Sequence, residues 1–179
     1  MTMKSKFILV LLISTILTGC ATTPSPSPYT ATYEVYFSPD GGCANAIIAE
    51  IGKAKTEILV QAYYLTADDI VRALAEAQKR GVLTKVILDN KSNATLESSK
   101  KDVLIQAGIR TYLDAAHPIS HNKLMVIDNE VVITGSYNFT KNAERNAENI
   151  VILRSKVLAN GYIHNWMEHE MHSEAYGGR

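Results

Sequence analysis

The stretch from His121 to Asn138, HNKLMVIDNEVVITGSYN, constrains the fold most, because it resembles two strands joined by a tight turn. Residues 121–128 have the pattern of a strand around the apolar run 124–127, and residues 131–135 are mostly β-branched and apolar. Between these runs, Asn129-Glu130 predicts a two-residue loop, since Asn tolerates a positive φ. The stretch therefore predicts a β-hairpin.

The length of the hairpin loop decides which side chains face each other. With two residues in the loop, Lys123 would oppose Ser136 and His121 would oppose Asn138, and opposed residues share a face. These four side chains would then form one polar patch at the open end of the hairpin; a three-residue loop would break this register. Asp128 lies about 16 Å beyond Lys123 at the rise of a strand, so we expect it not to touch the same substrate atom.

The remainder of the chain alternates strand-like and helix-like segments. We predict strands at 33–37, 57–64, 82–88, 109–113 and 149–153. We predict helices over 44–54, from a Thr66 cap to Gly81, from a Thr95 cap to Gly108, and after a Ser155 cap. Residues 89–94, DNKSNA, predict a polar loop. This order indicates an α/β fold, with a mixed β-sheet and helices on both faces.

Length and charge limit the classes of function. A chain of 179 residues suits a single domain with a substantial core. Its 18 basic and 18 acidic residues exclude a bulk polycation, so binding to nucleic acid would need a local patch. Candidate residues for such a patch are Lys53, Lys55, Lys91, Lys141 and Arg145.

The N-terminus has the pattern of an export signal. Lys4 and Lys6 precede the apolar run 7–17, which is too short to span a bilayer comfortably. The segment ends in Leu-Thr-Gly-Cys and resembles a bacterial lipoprotein signal, with residues 1–19 removed and Cys20 lipidated. An ordinary secretory signal with an incidental cysteine is the alternative.

The expected mature protein is a single domain on a short tether. Residues 20–32 read as the lipidated Cys20 and a Pro/Ser/Thr-rich flexible tether, and residues 33–179 as one catalytic domain. We expect an exported protein of the periplasm or cell envelope, anchored to a membrane by lipid. Cys43 would then lack a disulfide partner, and it reads as a small buried hydrophobe.

The histidines differ in what they predict. A neutral imidazole at His121 can attack phosphorus, while a lysine and an amide beside it hold anionic oxygens, which suits phosphoryl transfer without a metal. His117 precedes Pro118 and could line the site. His169 and His172 have a spacing that could bind metal, but we expect them, with His164, at surface positions of a helix, and we predict no metal site.

The polar patch and several further segments resemble a known family. Residues 121–138 resemble the HKD motif of the phospholipase D superfamily, which implies a phospholipase-D-like α/β/α sandwich. The segments Tyr36–Pro39, Ala62-Tyr63, Ala67–Ile70, Lys79–Val82, Gly135–Thr140 and Asn146–Asn149 are similar to the small, secreted, single-motif bacterial endonucleases of that superfamily. The likeness covers about residues 33–175.

The resemblance implies roles for individual residues. His121 matches the nucleophile that forms a phosphohistidine, and Lys123 and Asn138 match residues that bind the non-bridging phosphate oxygens, with Ser136 beside them. Glu148 matches a glutamate that hydrogen-bonds the nucleophile. Asp128 and Gly135 match structural positions of the motif, and no cofactor is implied.

The motif occurs once, and this predicts a partner. In-line displacement needs groups on both sides of phosphorus, so one His121 cannot both attack and protonate the leaving group. A homodimer would supply the second His121 as general acid/base at a shared active site. The expected function is a metal-independent phosphodiesterase, foremost a non-specific endonuclease acting on DNA, with RNA left open as a second substrate. The alternatives are a phospholipase D acting on phospholipid head groups and a non-catalytic, tethered nucleic-acid-binding protein.

Overall fold

The computed structural model describes residues 31–94, 96 and 99–177 and arranges them as alternating strands and helices. The strands are β1 (Thr32–Ser38), β2 (Glu57–Ala62), β3 (Leu83–Asp89), β4 (Arg110–Asp114), β5 (Lys123–Ile127), β6 (Val131–Gly135), β7 (Glu148–Arg154) and β8 (Glu174–Ala175). The helices are α1 (Cys43–Lys53), α2 (Asp68–Lys79), α3 (Asn90–Ala94), α4 (Lys101–Gln106) and α5 (Lys156–His172), with a 3₁₀ turn at Lys141–Glu144.

The described strands form one mixed sheet in the order β1-β7-β6-β5-β2-β3-β4-β8. Strands β2, β3 and β4 run parallel, and the other neighbours are antiparallel. Side chains alternate between the two faces of the sheet, so each central strand contributes side chains to two hydrophobic cores. The core on one face packs against α1, α2 and α4, and the core on the other packs against α5 around Trp166. The predicted α/β sandwich with helices on both faces is confirmed.

Seven strands, β1 to β7, each have one end at the same end of the sheet. Strand pairing brings Ser38 beside Glu148, Gly135 near the start of β7, and Ala62 beside Lys123. The carboxyl ends of the parallel strands β3 and β4 lie at the same edge. We call this row of strand ends the site edge, because the predicted functional residues gather there. The term refers to the ends of the strands and not to the edge strands β1 and β8.

The hairpin forms, but in a different register from the predicted one. Strands β5 and β6 pair with Ile127 opposite Val131, so the loop has three residues, 128–130. The predicted two-residue loop is wrong, and so is the predicted pairing of Lys123 with Ser136. Continued to the open end, the observed register would place Lys123 opposite Gly135.

The cause of this register lies outside the hairpin. Asp128 and Asn129 have φ values of 53° and 51°, and the N–H of Glu130 donates to the carbonyl of Ile127 at 3.0 Å. The Asp128 carboxylate accepts hydrogen bonds from the backbone of residues 55–57. Because of this tertiary contact, Asp128 belongs to the turn and not to β5. No sequence pattern within the hairpin could predict a contact with residues 55–57.

Other predicted elements are confirmed with shifted ends. Ser155 caps α5, its hydroxyl accepting a hydrogen bond from the N–H of Leu158 at 3.4 Å. Thr66 does not cap α2, because the N–H groups of Thr66 and Ala67 both donate to the carbonyl of Phe139 and Ala67 takes the cap position. Cys43 is fully buried, as expected.

The segment 89–94 is not a loop. It contains the short helix α3, whose start is stabilised by the Asp89 carboxylate accepting from the N–H of Ser92 at 2.7 Å. The predictions for residues 1–30, including the signal segment, Cys20 and most of the tether, lie outside the described residues, as does the Thr95 cap. Among the described residues, no helix combines the length and apolarity needed to cross a membrane.

Candidate active site

His121 and Lys123 meet at the amino end of β5. The ammonium nitrogen of Lys123 lies 3.2 Å from each ring nitrogen of His121 and 3.2 Å from its backbone oxygen. The imidazole is exposed, whereas Lys123 is only 8% exposed. An accessible nucleophile therefore stands beside a cation that the fold holds in place, and one phosphate group could contact both.

The buried position of Lys123 affects its charge. Burial lowers the pKa of the Lys123 ammonium below its ordinary value, and the negative charge of Glu148 partly offsets this effect. The aromatic ring of Tyr63 also faces the ammonium, with the nitrogen 5.3 Å from the ring centroid. A buried ammonium has few water partners, so a phosphate oxygen would gain a strong charge-assisted hydrogen bond there.

Glu148 is held at the amino end of β7. Its carboxylate accepts from the Ser136 hydroxyl at 2.6 Å and from the Asn146 amide at 3.1 Å, and its N–H donates to the Ser38 hydroxyl at 3.2 Å. The resemblance implied a hydrogen bond from Glu148 to His121. In this structure Glu148 bonds Ser136 and Asn146 instead, because β6 lies between β5 and β7.

Gly135 lets the chain leave the sheet at this point. A Cβ atom there would lie 2.2 Å from the carbonyl oxygen of Asn149, so no other residue fits without moving β7. The next two N–H groups, those of Ser136 and Tyr137, both donate to that same oxygen. The turn replaces the simple strand register that the sequence predicted, and it brings the Ser136 hydroxyl to Glu148.

Asn138 lies on the segment that follows. Phe139 forms a bridge with Leu65, so this segment runs beside the chain beyond β2. The side-chain oxygen of Asn138 is buried without a hydrogen-bond partner. An unmet buried acceptor costs about 1–3 kcal/mol and is typical of a group that meets a ligand.

The structure thus brings the predicted residues together in two groups. His121 contacts Lys123, and Ser136 contacts Glu148, while the Glu148 charge acts on Lys123. Asn138 is on the adjoining segment. Asp128 lies at the opposite end of the hairpin, where it binds the backbone at the start of β2.

Sequence reasoning assigned no role to two residues that support the site. Tyr63 packs against His121 with ring centroids 4.5 Å apart, and Ser38 accepts the hydrogen bond from the backbone of Glu148. Ala62-Tyr63 and Tyr36–Pro39 were part of the family likeness, but their positions beside His121 and Glu148 depend on strand pairing.

Of the basic residues predicted as candidates for a nucleic-acid-binding patch, only some lie near the site. Lys91 on α3, and Lys141 and Arg145 around the 3₁₀ turn, follow strands that end at the site edge. Lys53 and Lys55 lie at the opposite edge, where the Lys55 N–H donates to Asp128. Lys53 and Lys55 therefore do not belong to a patch around the site, and that prediction is wrong.

The remaining histidines do not share one environment. His164 is exposed on α5, as expected, with 80% of its side chain accessible. His169 is only 14% exposed, so its expected surface position is wrong. Together with His117 and His172 it surrounds Asp114, at the end of β4.

Comparison with known proteins identifies the family. A family model described as "Cardiolipin synthase, PLD-like domain" matches residues 47–171. The chain belongs to the phospholipase D superfamily. Superfamily membership makes it a hydrolase of the phosphodiesterase type.

Individual members of the superfamily are similar over much of the chain. A phospholipase D of Rickettsia prowazekii is 41% identical over 140 residues, which are 78% of this chain and 68% of the relative. The crystal structure of Nuc, a phospholipase D family member from Salmonella typhimurium, has a TM-score of 0.79 and 35% identity, covering 82% of this chain and 99% of that one. NucT from Helicobacter pylori shares the fold, with a TM-score of 0.76, 21% identity and coverage of 82% and 100%.

Proposed function

We propose that this protein is a metal-independent endonuclease that cleaves DNA with little sequence preference. The observation that carries the proposal is the exposed imidazole of His121 beside the buried ammonium of Lys123 at an open sheet edge. An open edge suits a long phosphodiester chain, which has to pass by the nucleophile rather than enter a pocket.

The proposed reaction proceeds in two displacements. A ring nitrogen of His121 attacks phosphorus, the bond to the leaving oxygen breaks, and that oxygen takes a proton from a second imidazole. Lys123 and Asn138 hold the non-bridging oxygens while the negative charge redistributes. Water, deprotonated by the second imidazole, then attacks the phosphohistidine and regenerates His121.

The second imidazole is proposed to be His121 of another copy of this chain. The exposure of His121 supports a shared site, since a partner could approach it. The edge strand β1 also supports an interface nearby: its exposed Tyr33, Val35 and Phe37 form an apolar row that ends beside the site edge. A two-fold axis through the phosphate would place one imidazole on each side of it.

Charge at the site edge supports nucleic acid as the substrate. Lys91, Lys141 and Arg145 are exposed on segments that follow strands ending there. Each could contact a phosphate on either side of the scissile bond, without reading base sequence. The fit of the chain to nearly the whole of Salmonella Nuc supports a compact enzyme of this kind.

A phospholipase D is the second candidate. The name of the Rickettsia relative and the description of the family model favour it, and a lipid anchor at Cys20 would bring the enzyme to a membrane. Against it, a shallow apolar groove lies on the first turns of α5, at Val157, Leu158 and Tyr162, which is the edge opposite the site. A lipid chain bound there would not present its head group to His121.

Export remains part of the proposal. We infer that residues 1–19 direct secretion and that Cys20 carries lipid, so the domain would act in the periplasm or cell envelope. Labelling with a palmitate analogue should mark the full-length protein and fail to mark a Cys20→Ala variant. A wild-type chain that takes up no label would contradict the anchor without affecting the catalytic proposal.

One experiment separates the candidates. Residues 21–179 are purified as wild type, His121→Asn and His164→Asn, and each is offered plasmid DNA or phosphatidylcholine vesicles in EDTA. We expect wild type and His164→Asn to nick DNA, and His121→Asn to lose roughly a thousand-fold or more. His164 is the control because it is exposed and lies on α5.

The other outcomes are equally informative. Choline release that depends on His121, without nicking, would replace the nuclease by a phospholipase D. No turnover of either substrate by a folded wild-type chain, combined with retention of DNA, would indicate a binding protein. Circular dichroism of each variant in EDTA shows that the chain compared is folded.

A further inference from the structure

Three imidazoles and one carboxylate converge behind the loop that leads to His121. Asp114 ends β4 with its side chain fully buried, His117 follows in the loop, and His169 and His172 lie in the last turns of α5. One ligand atom from each of the four lies within 4.8 Å of the others. The ring centroids of the three histidines are 4.9 to 5.0 Å apart, so the rings form a nearly equilateral triangle.

Each histidine has a ring nitrogen near one oxygen of the carboxylate, and the nitrogen of His117 also lies 3.2 Å from the other oxygen, Oδ1. The Oδ2 atom of Asp114 lies 2.9 Å from His169 Nδ1, 3.1 Å from His117 Nδ1 and 3.7 Å from His172 Nε2. Zinc–ligand bonds of about 2.0–2.1 Å in a tetrahedron correspond to ligand–ligand edges of about 3.3 Å. The three separations from Asp114 span that value, and all four ligand atoms lie within 4.8 Å of one another, so the side chains would move closer together around an ion.

We propose that Asp114, His117, His169 and His172 bind one zinc ion. Imidazole nitrogen and a single carboxylate oxygen are ligands that zinc accepts, and four protein ligands fill its tetrahedral coordination. A closed set of this kind is the pattern of a structural zinc site rather than of one that activates water.

Surrounding contacts hold the ligands in place. The N–H of Ala116 donates to Asp114 Oδ1 at 3.1 Å, which fixes the carboxylate and leaves Oδ2 directed at the histidines. The Ser173 hydroxyl donates to the carbonyl of His169 at 2.7 Å and secures the end of α5. Hydrogen bonds therefore hold the Asp114 side chain and the backbone of His169.

The position of the cluster argues for a structural role. Pairing runs across the sheet from Lys123 to Ala62, Leu88 and Leu113, so three strand spacings, about 14 Å, separate β5 from β4. Asp114 faces α5, whereas Lys123 faces the opposite side of the sheet. A zinc ion there would not reach the phosphorus that His121 attacks.

The ion would instead fasten the loop that carries the nucleophile. His117 stands four residues before His121 in the chain. At the other end of this loop, the N–H of Ser120 donates to the Asp89 carboxylate at 2.7 Å. Zinc would join the β4 end of the loop, through His117, to α5. This link would limit the positions open to His121.

The test uses metal binding and does not depend on the proposed catalysis. Residues 21–179 are prepared without a polyhistidine tag, stripped with chelator and titrated with Zn²⁺ against a chromophoric competitor. We expect one zinc per chain, and at a hundred-fold excess over Kd an increase in Tm of about 5 °C or more. Co²⁺ in place of zinc should give the strong visible absorption of tetrahedral nitrogen and oxygen ligands.

Matched variants identify the ligands. His169→Ala with His172→Ala should abolish the Tm increase and the cobalt spectrum, while His164→Ala, on the same helix but outside the cluster, should keep both. His117→Ala removes a loop ligand without altering a helix and should weaken binding about a hundred-fold or more, because loss of a ligand costs at least as much as loss of a hydrogen bond to one. Zinc bound only in the millimolar range, or bound equally by the double variant, would overturn the proposal. Nicking in EDTA that depends on His121 would stand in either case.

Discussion

At the scale of single residues, the site depends on a cation that the fold keeps out of water. Lys123 is almost fully buried, yet its ammonium touches the exposed ring of His121. β5 begins at Lys123 and His121 lies two residues before it, so the contact matches the spacing of two residues that the sequence predicts to share a side. What the spacing could not show is the extent of burial, which comes from Tyr63 and the neighbouring strands.

The buried ammonium predicts an early loss of activity at alkaline pH. Because burial lowers the pKa of Lys123, its charge is present below that lowered pKa and is lost as the pH rises through it. The proposed mechanism also needs a protonated imidazole, so the loss that belongs to Lys123 is a separate, further alkaline limb of kcat/KM for DNA nicking, which should lie below the ordinary lysine value of 10.5. Nicking rates across a pH series at fixed ionic strength measure it; a limb at or above that value would contradict the assignment.

Glu148 should move that limb in a defined direction. Its negative charge raises the pKa of Lys123, so Glu148→Gln should shift the alkaline limb to lower pH. The same change weakens the acceptor for Ser136 and should also lower kcat. Glu130→Gln, in the turn at the far end of the hairpin, is the control and should leave the profile unchanged. An unchanged alkaline limb in Glu148→Gln would show that the charge of Glu148 does not affect the pKa of Lys123.

At the scale of elements, the turn of the hairpin is tied to the start of β2. Burial alone would raise the pKa of Asp128, but hydrogen bonds from Thr56, Glu57 and Lys55 outweigh it and lower the pKa. The carboxylate therefore has a structural role. It links the turn to the start of β2 and sets the register of β5 and β6, far from the phosphate-binding end.

Replacing Asp128 should lower the stability of the fold and leave the nicking activity unchanged. Asp128→Asn should lower the free energy of unfolding by about 1–3 kcal/mol at neutral pH, since hydrogen bonds to a charged acceptor are lost. The stabilisation is present above the unfolded-state pKa of Asp and is lost as pH falls through the lowered folded-state pKa, so the difference should shrink in acid. Urea unfolding at several pH values measures both.

The control and the contrary result for Asp128 are simple. Glu130→Gln alters the same turn without touching residues 55–57, and we expect its stability to be within about 0.5 kcal/mol of wild type. Nicking per folded Asp128→Asn molecule should remain near the wild-type rate. Loss of nicking without loss of stability would instead mean that Asp128 acts in catalysis.

The elements also show where sequence reasoning succeeds and fails. Local signals sufficed for the helix stop at Gly81, which has a φ of 94°, and for the Ser155 cap. They failed where a distant carbonyl or carboxylate decided the outcome, as at Thr66, which donates to Phe139, and at the Asp128 turn. The two-residue β8 pairs with β4 and carries too few residues to give a pattern.

The site divides in the same way. The pair His121 and Lys123 was predictable from one strand, whereas the pair Ser136 and Glu148 depends on how β6 and β7 pair. The histidine cluster joins His117 to residues on α5 through Asp114, an arrangement that only the folded chain brings together. The spacing of His169 and His172 was a signal for metal, but without a third ligand it was too weak.

At the scale of the whole molecule, one chain carries one motif. The proposed displacement needs two imidazoles on opposite sides of phosphorus, so the active unit should be a dimer. Sedimentation should show a dimer whose specific activity falls on dilution below its dissociation constant. A fully active monomer would contradict the shared site.

Mixed dimers test the sharing more directly. Wild-type chains refolded with a ten-fold excess of His121→Asn chains would mostly pair with a partner that lacks the imidazole. If each site needs both, activity per wild-type chain should fall about ten-fold. Refolding with the same excess of a His164→Asn chain should give no such fall. Activity that stays proportional to the number of wild-type chains would mean that each chain works alone.

The central claim is that His121 attacks phosphorus and forms a covalent intermediate. Each in-line displacement inverts the configuration at phosphorus, so two successive displacements restore it. The decisive measurement is the stereochemical course of cleavage of a chiral phosphorothioate DNA linkage hydrolysed in ¹⁸O-labelled water. The phosphohistidine mechanism predicts net retention at phosphorus; inversion would show that water attacks directly and would contradict the role of His121 as nucleophile.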